Sequence, residues 1–414
     1  MAERCPSLTS YQTRVLAVLA LINFVNFADR QVVVPLIPIL RSHFSVTDEQ
    51  LGWLQTVLLI VLAAASVPSG FLADRFSEKR IIAGGVLFWS LASIASGLAP
   101  TFSFLLLARA CVGVGEAAYA PAAQAMISGA FSKESRARAL AVFAAGMLLG
   151  GACGQALGGV MGEMHGWQYA FVVVGVLGLI PALSVLRLEE PARPPRSEVV
   201  PLGRILRVPA FLAMIAAGIF FTFSSVSLLT WGIDFVVSYK EFSLREAAIS
   251  LALIALTSLV LGVLTGGFVA DRLQKRYAYG RIIAIAVAFL LAAPFVLLAI
   301  QSDEKWVVIS GLFVAGYFMS WYHGPVTAVI HDMMPQRAHA SSVGVYMFVT
   351  QLVGALGPQL VGKISDMRDL QIGLQVAVAV MVCGALLMLL VIYFVRRDGL
   401  RHPQLEPFRS EPTD

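Results

Sequence analysis

The chain has 414 residues, of which 58% are hydrophobic and only 13% are Asp, Glu, Lys or Arg. That charged fraction is about half that of an ordinary soluble domain, and the apolar residues run in blocks of about 20 instead of alternating, which excludes a water-soluble enzyme of two or three domains. The formal net charge of +5 takes its meaning from where the positive residues lie.

In chain order the apolar blocks predict helices at about 13–40, 50–73, 80–99, 103–130, 138–161, 168–187, 209–237, 246–270, 281–300, 306–333, 340–362 and 371–395. Such blocks can cross a ~30 Å hydrocarbon core at about 1.5 Å per residue. The first, weakly charged and lacking a small-residue cleavage site, reads as a retained span and not a signal peptide. Twelve spans leave both ends on one side of the bilayer. The loops and tails of that side carry 22 Lys and Arg against 6 opposite, with Arg30 and Arg109 inside spans. This bias predicts a multi-pass protein of the cell membrane, plasma or bacterial inner, with both termini cytosolic. The basic residues thus signal topology, and no basic stripe with interleaved aromatics points to nucleic acid. Cys5, Cys111, Cys153 and Cys383 are scattered and predict neither disulfides nor a metal.

Residues 188–208 are rich in Pro and Arg and read as a cytosolic linker. It joins an N-terminal six-helix bundle (1–187) to a C-terminal one (209–396), with a cytosolic tail at 397–414. The halves repeat. Gly70-Phe-Leu-Ala-Asp74-Arg75 closes span two, and Gly267-Phe-Val-Ala-Asp271-Arg272 closes span eight 197 residues later. A weaker echo joins Arg136-Ala-Arg-Ala before span five to Arg337-Ala-His-Ala before span eleven. Parallel six-span repeats are one plan of secondary transporters, with substrate near the midplane between halves. The chain has no G-x-x-x-x-G-K-[ST] and no spaced catalytic or metal set. It therefore reads as neither an enzyme nor a cofactor protein, and its energy comes from a gradient.

Four ionisable residues fall within the spans: Asp29 and Arg30 in span one, Arg109 and Glu116 in span four. Each would cost about 2.5–3.5 kcal/mol or more facing lipid, so they are expected to face inward and pair. Arg109 and Glu116, seven apart, share one helix face at about 10 Å of separation. Burial raises a carboxylate pKa and a close cation lowers it, so moving the arginine would make the acid take or release a proton. Asp29 and Glu116 are the expected proton carriers, with Arg30 and Arg109 as partners; the plainer reading is a static network fixing two helices.

To a substrate cavity we assign Asn26, Tyr119, Trp231, Tyr317, Trp321 and His323, against the plainer reading of aromatics as packing. His323 is a further titratable group at mid-span. Asp234, nearer the end of span seven, reads as a water-facing acid. Gly146, Gly150, Gly154, Gly158 and Gly162 form a four-residue seam on span five that lets backbones approach closely, and span five is where halves of such proteins slide.

The loop GFLADRFSEKR resembles the signature G-x-L-x-D-R-x-G-R-R/K of the major facilitator superfamily, with Ser77 for the family glycine and Glu78 for a basic residue; GFVADR repeats it, and Gly166-Trp167-Gln168 opens span six in the familiar way. The resemblance covers all twelve spans. It implies an all-α fold of two pseudo-symmetric six-helix halves, a monomer, and a conformational gate at Gly70, Asp74, Arg75, Lys79, Gly267, Asp271 and Arg272, where the loop acid braces one state against backbone amides or basic groups of the other half. Within the superfamily, Asn26-Phe-Ala-Asp29-Arg30 together with Arg109-Ala-Cys-Val-Gly-Val-Gly-Glu116 resembles the Spinster family. That similarity implies a proton-coupled transporter of a lipid-like amphiphile, of lysophospholipid or sphingoid type, working by alternating access. The alternative is a proton-coupled drug or small-organic-ion antiporter on the same fold.

Overall fold

The computed structural model describes residues 9–190 and 202–399, apart from certain side chains such as those of 70–75. The helices in chain order are α1 (Ser10–Val32), α2 (Ile37–Phe44), α3 (Asp48–Arg75), α4 (Glu78–Gly97), α5 (Phe102–Ala130), α6 (Lys133–Met164), α7 (Trp167–Val185), α8 (Leu202–Ile205), α9 (Pro209–Tyr239), α10 (Leu244–Arg276), α11 (Gly280–Gln301), α12 (Lys305–Met319), α13 (His323–Met333), α14 (His339–Gly354), α15 (Gly357–Met367) and α16 (Leu370–Gly399). All twelve expected spans are helical. Eleven of the described helical stretches are long and apolar enough to cross a membrane. The tenth span consists of α12, a 3-10 turn at Ser320–Tyr322, and α13.

Three expected spans are interrupted, each three to six residues before a proline. Span one leaves α-geometry after Val32 for a 3-10 turn at Val34–Leu36 that contains Pro35. Span ten tightens ahead of Pro325, and span eleven ends its first piece at Gly354, four residues before Pro358. Proline lacks the N–H its i−4 carbonyl would accept, and its ring crowds that carbonyl. Pro68, Pro121, Pro181 and Pro294 lie inside continuous helices. The two breaks of the C-terminal half add a glycine directly before the proline, Gly324 and Gly357, and glycine favours leaving the helix. The short α8, inside the linker, is too brief for an apolar periodicity to announce it.

The chain forms two compact units. The first takes everything up to Val46, the stretch from Val57 to the linker, and Leu244–Ala252; the second takes Thr47–Thr56, the stretch from the linker to Ser243, and everything from Leu253. Thr47–Thr56 and Leu244–Ala252 are each grouped apart from the remainder of their helices, α3 and α10.

Within the first unit the glycine seam of α6 lies on α1. A Cβ at Gly146, Gly150, Gly154 or Gly158 would run into the carbonyl oxygens of Ala20, Phe24, Ala28 and Val32, and one at Gly162 would meet Leu36. Both series advance by four, so one ridge row of each helix interlocks along the full contact. The seam is thus a close-packing contact, and it fastens span one to span five of the same unit. A second close crossing, at Gly85 and Gly115, brings α4 against α5.

Candidate functional site

The end of α1 creates the chemistry of the first unit. The last carbonyls of a helix have no intrahelical donors, and here the turn before Pro35 carries Asp29 and Arg30. Arg109, from α5, places its Nη2 3.2 Å from the backbone oxygen of Asp29 and its Nη1 3.3 Å from Asp29 Oδ1. One guanidinium therefore caps the helix and neutralises the side chain, and a cation at a helix C-terminus is favoured by the dipole. Ser93, on the face of α4 that also buries Ser90 and Ser96, donates to Asp29 Oδ1 at 2.6 Å. The Arg109 guanidinium lies over the Phe171 ring at 5.7 Å, a cation–π contact that replaces part of the lost hydration.

The second pair interlocks with the first. Arg30 Nε donates to Glu116 Oε2 at 2.6 Å, a charge-assisted bond of the strong kind, and the guanidinium lies 4.8 Å from the Phe27 centroid. Asp29, Arg109 and Glu116 are fully enclosed, whereas the Arg30 side chain keeps 18% exposure. Asp29 Oδ2, Glu116 Oε1, Arg109 Nε and Asn26 Nδ2 are buried with no hydrogen-bond partner. Each carboxylate thus has one oxygen held by a cation and one free. A neutral carboxylic acid carries its proton on such a free oxygen, while the ionised form is held by the other. Orphaned buried polar atoms are uncommon and call for an explanation; four around one ionic cluster mark this as the site. Next to Arg30 in the chain, Gln31 Oε1 accepts from Gln155 Nε2 at 3.3 Å.

The expected cavity residues do not form one group. Asn26 belongs to the ionic cluster. Tyr119 is buried, donates to the Leu19 carbonyl at 3.0 Å and packs against Trp89 and Phe143. Trp231 is buried in the second unit and donates to the Pro358 carbonyl at 2.9 Å. Both are packing residues, which corrects their assignment to a cavity wall. Tyr317 and Trp321 stack edge to face beside the break in span ten, where a Cβ on Gly262 or Gly266 would strike their backbones. His323 is exposed at that break, 5.7 Å from the Tyr322 ring. Asp234, expected to face water, is fully buried and accepts from Ser238 Oγ at 3.3 Å. Its position three residues after buried Trp231 puts both on one helix face, a signal present in the sequence.

Sequence reasoning missed three contributors to the site: Ser93, Phe171 and the helix end itself. The spacing of Ser90, Ser93 and Ser96 on an apolar span, and Pro35 four residues beyond Gln31, were the available signs. It also did not foresee that in the second unit the Tyr322 and Tyr346 hydroxyls meet at 2.6 Å. The ring of Phe221 is stacked 3.9 Å from that of Phe289, with Tyr322 edge-on to both.

Of the expected gate, the side chains of Gly70, Asp74 and Arg75 lie outside the described residues. In the second copy Asp271 is held by Arg281, at 3.0 and 2.8 Å, and Arg281 also reaches Asp332 at 2.7 Å. The partner of this loop acid is thus a base of its own half. Gly267 has open space at its Cβ position, and Arg272 is exposed. Lys79 donates its backbone amide to Glu190 at 2.9 Å and its Nζ to the Leu188 carbonyl at 3.1 Å, and Ser77 donates to the same Glu190 oxygen at 2.6 Å.

Three comparisons with known proteins bear on this arrangement. The Major Facilitator Superfamily model matches residues 19–358. Human protein spinster homolog 1 is 27% identical over 85% of this chain and 72% of its own length. The sphingosine-1-phosphate transporter SPNS2 of Xenopus tropicalis is 27% identical over 94% and 83%. An MFS-type efflux pump of Mycolicibacterium smegmatis is 27% identical over 86% and 85%. Among solved structures, a bacterial homolog of the human lysosomal transporter Spinster, inward-facing and unoccupied, superposes with a TM-score of 0.80 over 98% of this chain and 100% of that one, at 23% identity.

Proposed function

Since the chain belongs to the major facilitator superfamily, a class of multi-pass membrane transporters and not of enzymes, we propose that it is a proton-coupled secondary transporter of a lipid-like amphiphile, with Asp29 and Glu116 as the proton-carrying groups. The observation that carries the coupling is the pairing of each buried carboxylate with an arginine through one oxygen while the other oxygen has no partner. Arg30 is the exposed member of the set, hence the one a solute reaches first. An anionic headgroup that draws Arg30 away leaves Glu116 in a dry site without its cation, and the acid takes up a proton on its free oxygen. Return of Arg30 expels that proton. Substrate and proton then compete for one guanidinium, which is a differential interaction of the kind that coupling requires.

The lipid class is supported by likeness to Spinster proteins over most of the chain and by the aromatic interior of the second unit. A drug or small-organic-ion antiporter is the second reading, favoured by equal identity to the mycobacterial efflux pump. We place the protein in the cell membrane with both termini cytosolic, on the 22-to-6 loop bias, and working as a monomer. The deciding experiment is substrate-dependent proton flux in liposomes under an imposed pH gradient, with lysophospholipids, sphingoid phosphates and cationic drugs as candidate substrates. Glu116→Gln and Asp29→Asn, which keep volume and remove the titratable group, should abolish gradient-driven accumulation while binding survives. Persistent coupling in the double variant would sink the relay and shift attention to His323.

A further inference from the structure

Asp29 engages its two carboxylate oxygens unequally. Oδ1 accepts from Ser93 at 2.6 Å and from Arg109 at 3.3 Å, whereas Oδ2 is buried without a partner. Two more orphans lie one helical turn away: Asn26 Nδ2 on α1 and Ser90 Oγ on α4, in residues 2% and 0% exposed. Asn26 precedes Asp29 by three residues and Ser90 precedes Ser93 by three, a step of about 4.5 Å along either helix that keeps to one face. As the first and third spans, α1 and α4 run the same way, so the two steps share a direction and carry Asn26 and Ser90 to one level. The neighbouring α7 meets the same spot: a Cβ on Gly178 would strike Ser90 Oγ and come 3.5 Å from Cγ1 of Val25, the residue before Asn26.

A hydroxyl inside a helix often bonds to the carbonyl four residues back. Ser96 does so with Ala92 at 3.0 Å, as do Ser224, Ser227 and Thr230 on α9; Ser90 does not, and its hydroxyl stays open. Asn26 Nδ2 only donates, an ionised Asp29 Oδ2 only accepts, and Ser90 Oγ does either. One small neutral molecule that both donates and accepts therefore completes all three, and a buried water makes about three such bonds. The charges beside the site are Arg30 on α1 and Arg109 and Glu116 on α5. The arginines disfavour a cation there, and the two carboxylates disfavour an anion. At this level α4 adds hydroxyls and α7 adds Gly178, with no further charge among the described residues. We propose that Ser90 and Asn26 are positioning residues for an enclosed water that hands Asp29 its proton, which rests on the reading of Asp29 as a proton carrier. When a proton arrives on that water, one O–H bond of the hydronium breaks and one forms at Asp29 Oδ2. The electron pair of the broken bond stays on the water oxygen, and neutral water remains held by Ser90 and Asn26. Ser93 and Arg109 keep their places on Oδ1 throughout, so the acid is loaded before the arginine moves.

The test is time-resolved difference infrared spectroscopy on the full chain in lipid nanodiscs, stepped from alkaline to acidic medium. Two bands are read: a carboxyl C=O stretch that Asp29→Asn removes, and a water O–H stretch that moves when the medium is made with heavy-oxygen water. Ser90→Ala should abolish the water band and slow the rise of the Asp29 band about tenfold. Asn26→Leu should do the same, and the two changes together should slow it no further, because one water is lost either way. Ser96→Ala, which removes a hydroxyl bonded within its own helix, should leave both bands as in the parent. An Asp29 band that rises within about twofold of the parent rate in Ser90→Ala, a water band that persists there, or equal slowing in Ser96→Ala would overturn the water site. A parent with no carboxyl band that Asp29→Asn removes would instead sink the reading of Asp29 as a carrier, and this inference with it.

Discussion

The two units solve the problem of a membrane interior in different ways. The first concentrates four ionisable side chains at the end of α1, in two interlocked pairs with three members fully enclosed. The second fills the corresponding region with stacked phenylalanines and a pair of tyrosine hydroxyls; its enclosed Asp234 lies in the last turns of α9. Apolar replacements pack as well as buried ion pairs or better, so the aromatic unit shows what this fold does where no charge is required. The ionic unit bears an expense that stability alone does not explain. Under the proposed function this divides the labour: one unit would move charge, and the other would supply apolar contact.

Substitutions can break or sharpen that contrast. The largest effect is expected from Arg109→Ala, which leaves Asp29 buried without its cation and should lower stability by about 3–5 kcal/mol. Adding Asp29→Asn should recover part of the loss, since the unpaired charge is then gone; thermal melting of the purified protein measures both. If Arg109→Ala melts like the parent, the pair is not buried as described. Next, Gly154→Ala pushes a methyl into the Ala28 backbone and should cost about 1–3 kcal/mol by overpacking. It should also disturb proton coupling, because Ala28 precedes Asp29, and parallel melting and flux measurements on the one variant test this. The smallest effect is expected in the aromatic unit. Tyr346→Phe removes one hydroxyl of the 2.6 Å pair and should cost about 1 kcal/mol. Proton coupling in liposomes should stay intact, and its loss would mean that the second unit also handles charge.

The spans were legible because a run of apolar residues long enough to cross a bilayer has few other uses, and the ionic cluster because charges inside such runs must find one another. The pairing itself was not. Spacing along α5 puts Arg109 and Glu116 on one face but does not say that Arg109 takes Asp29 while Arg30 takes Glu116; that depends on where α1 stops. The stop is written in Pro35, yet Pro68 and Pro121 sit in unbroken helices, so proline alone does not decide. Tyr119 and Trp231 misled for a related reason. An aromatic with a polar edge suits a cavity wall or a core position that offers one carbonyl, and only the fold reveals that Leu19 and Pro358 supply those carbonyls.

The capping of α1 by Arg109 ties charge to length. The same guanidinium that neutralises Asp29 also occupies its backbone oxygen, so it cannot leave the carboxylate without releasing a carbonyl in a dry interior. That carbonyl then needs another donor, and the nearest source is the chain just beyond it. Each residue added to or taken from a helix changes it by about 1.5 Å. Through the interlocked rows of α1 and α6, a step of that size at Asp29 would be passed on as a displacement of neighbouring backbone, and in the proposed coupling one proton on Asp29 would set its length.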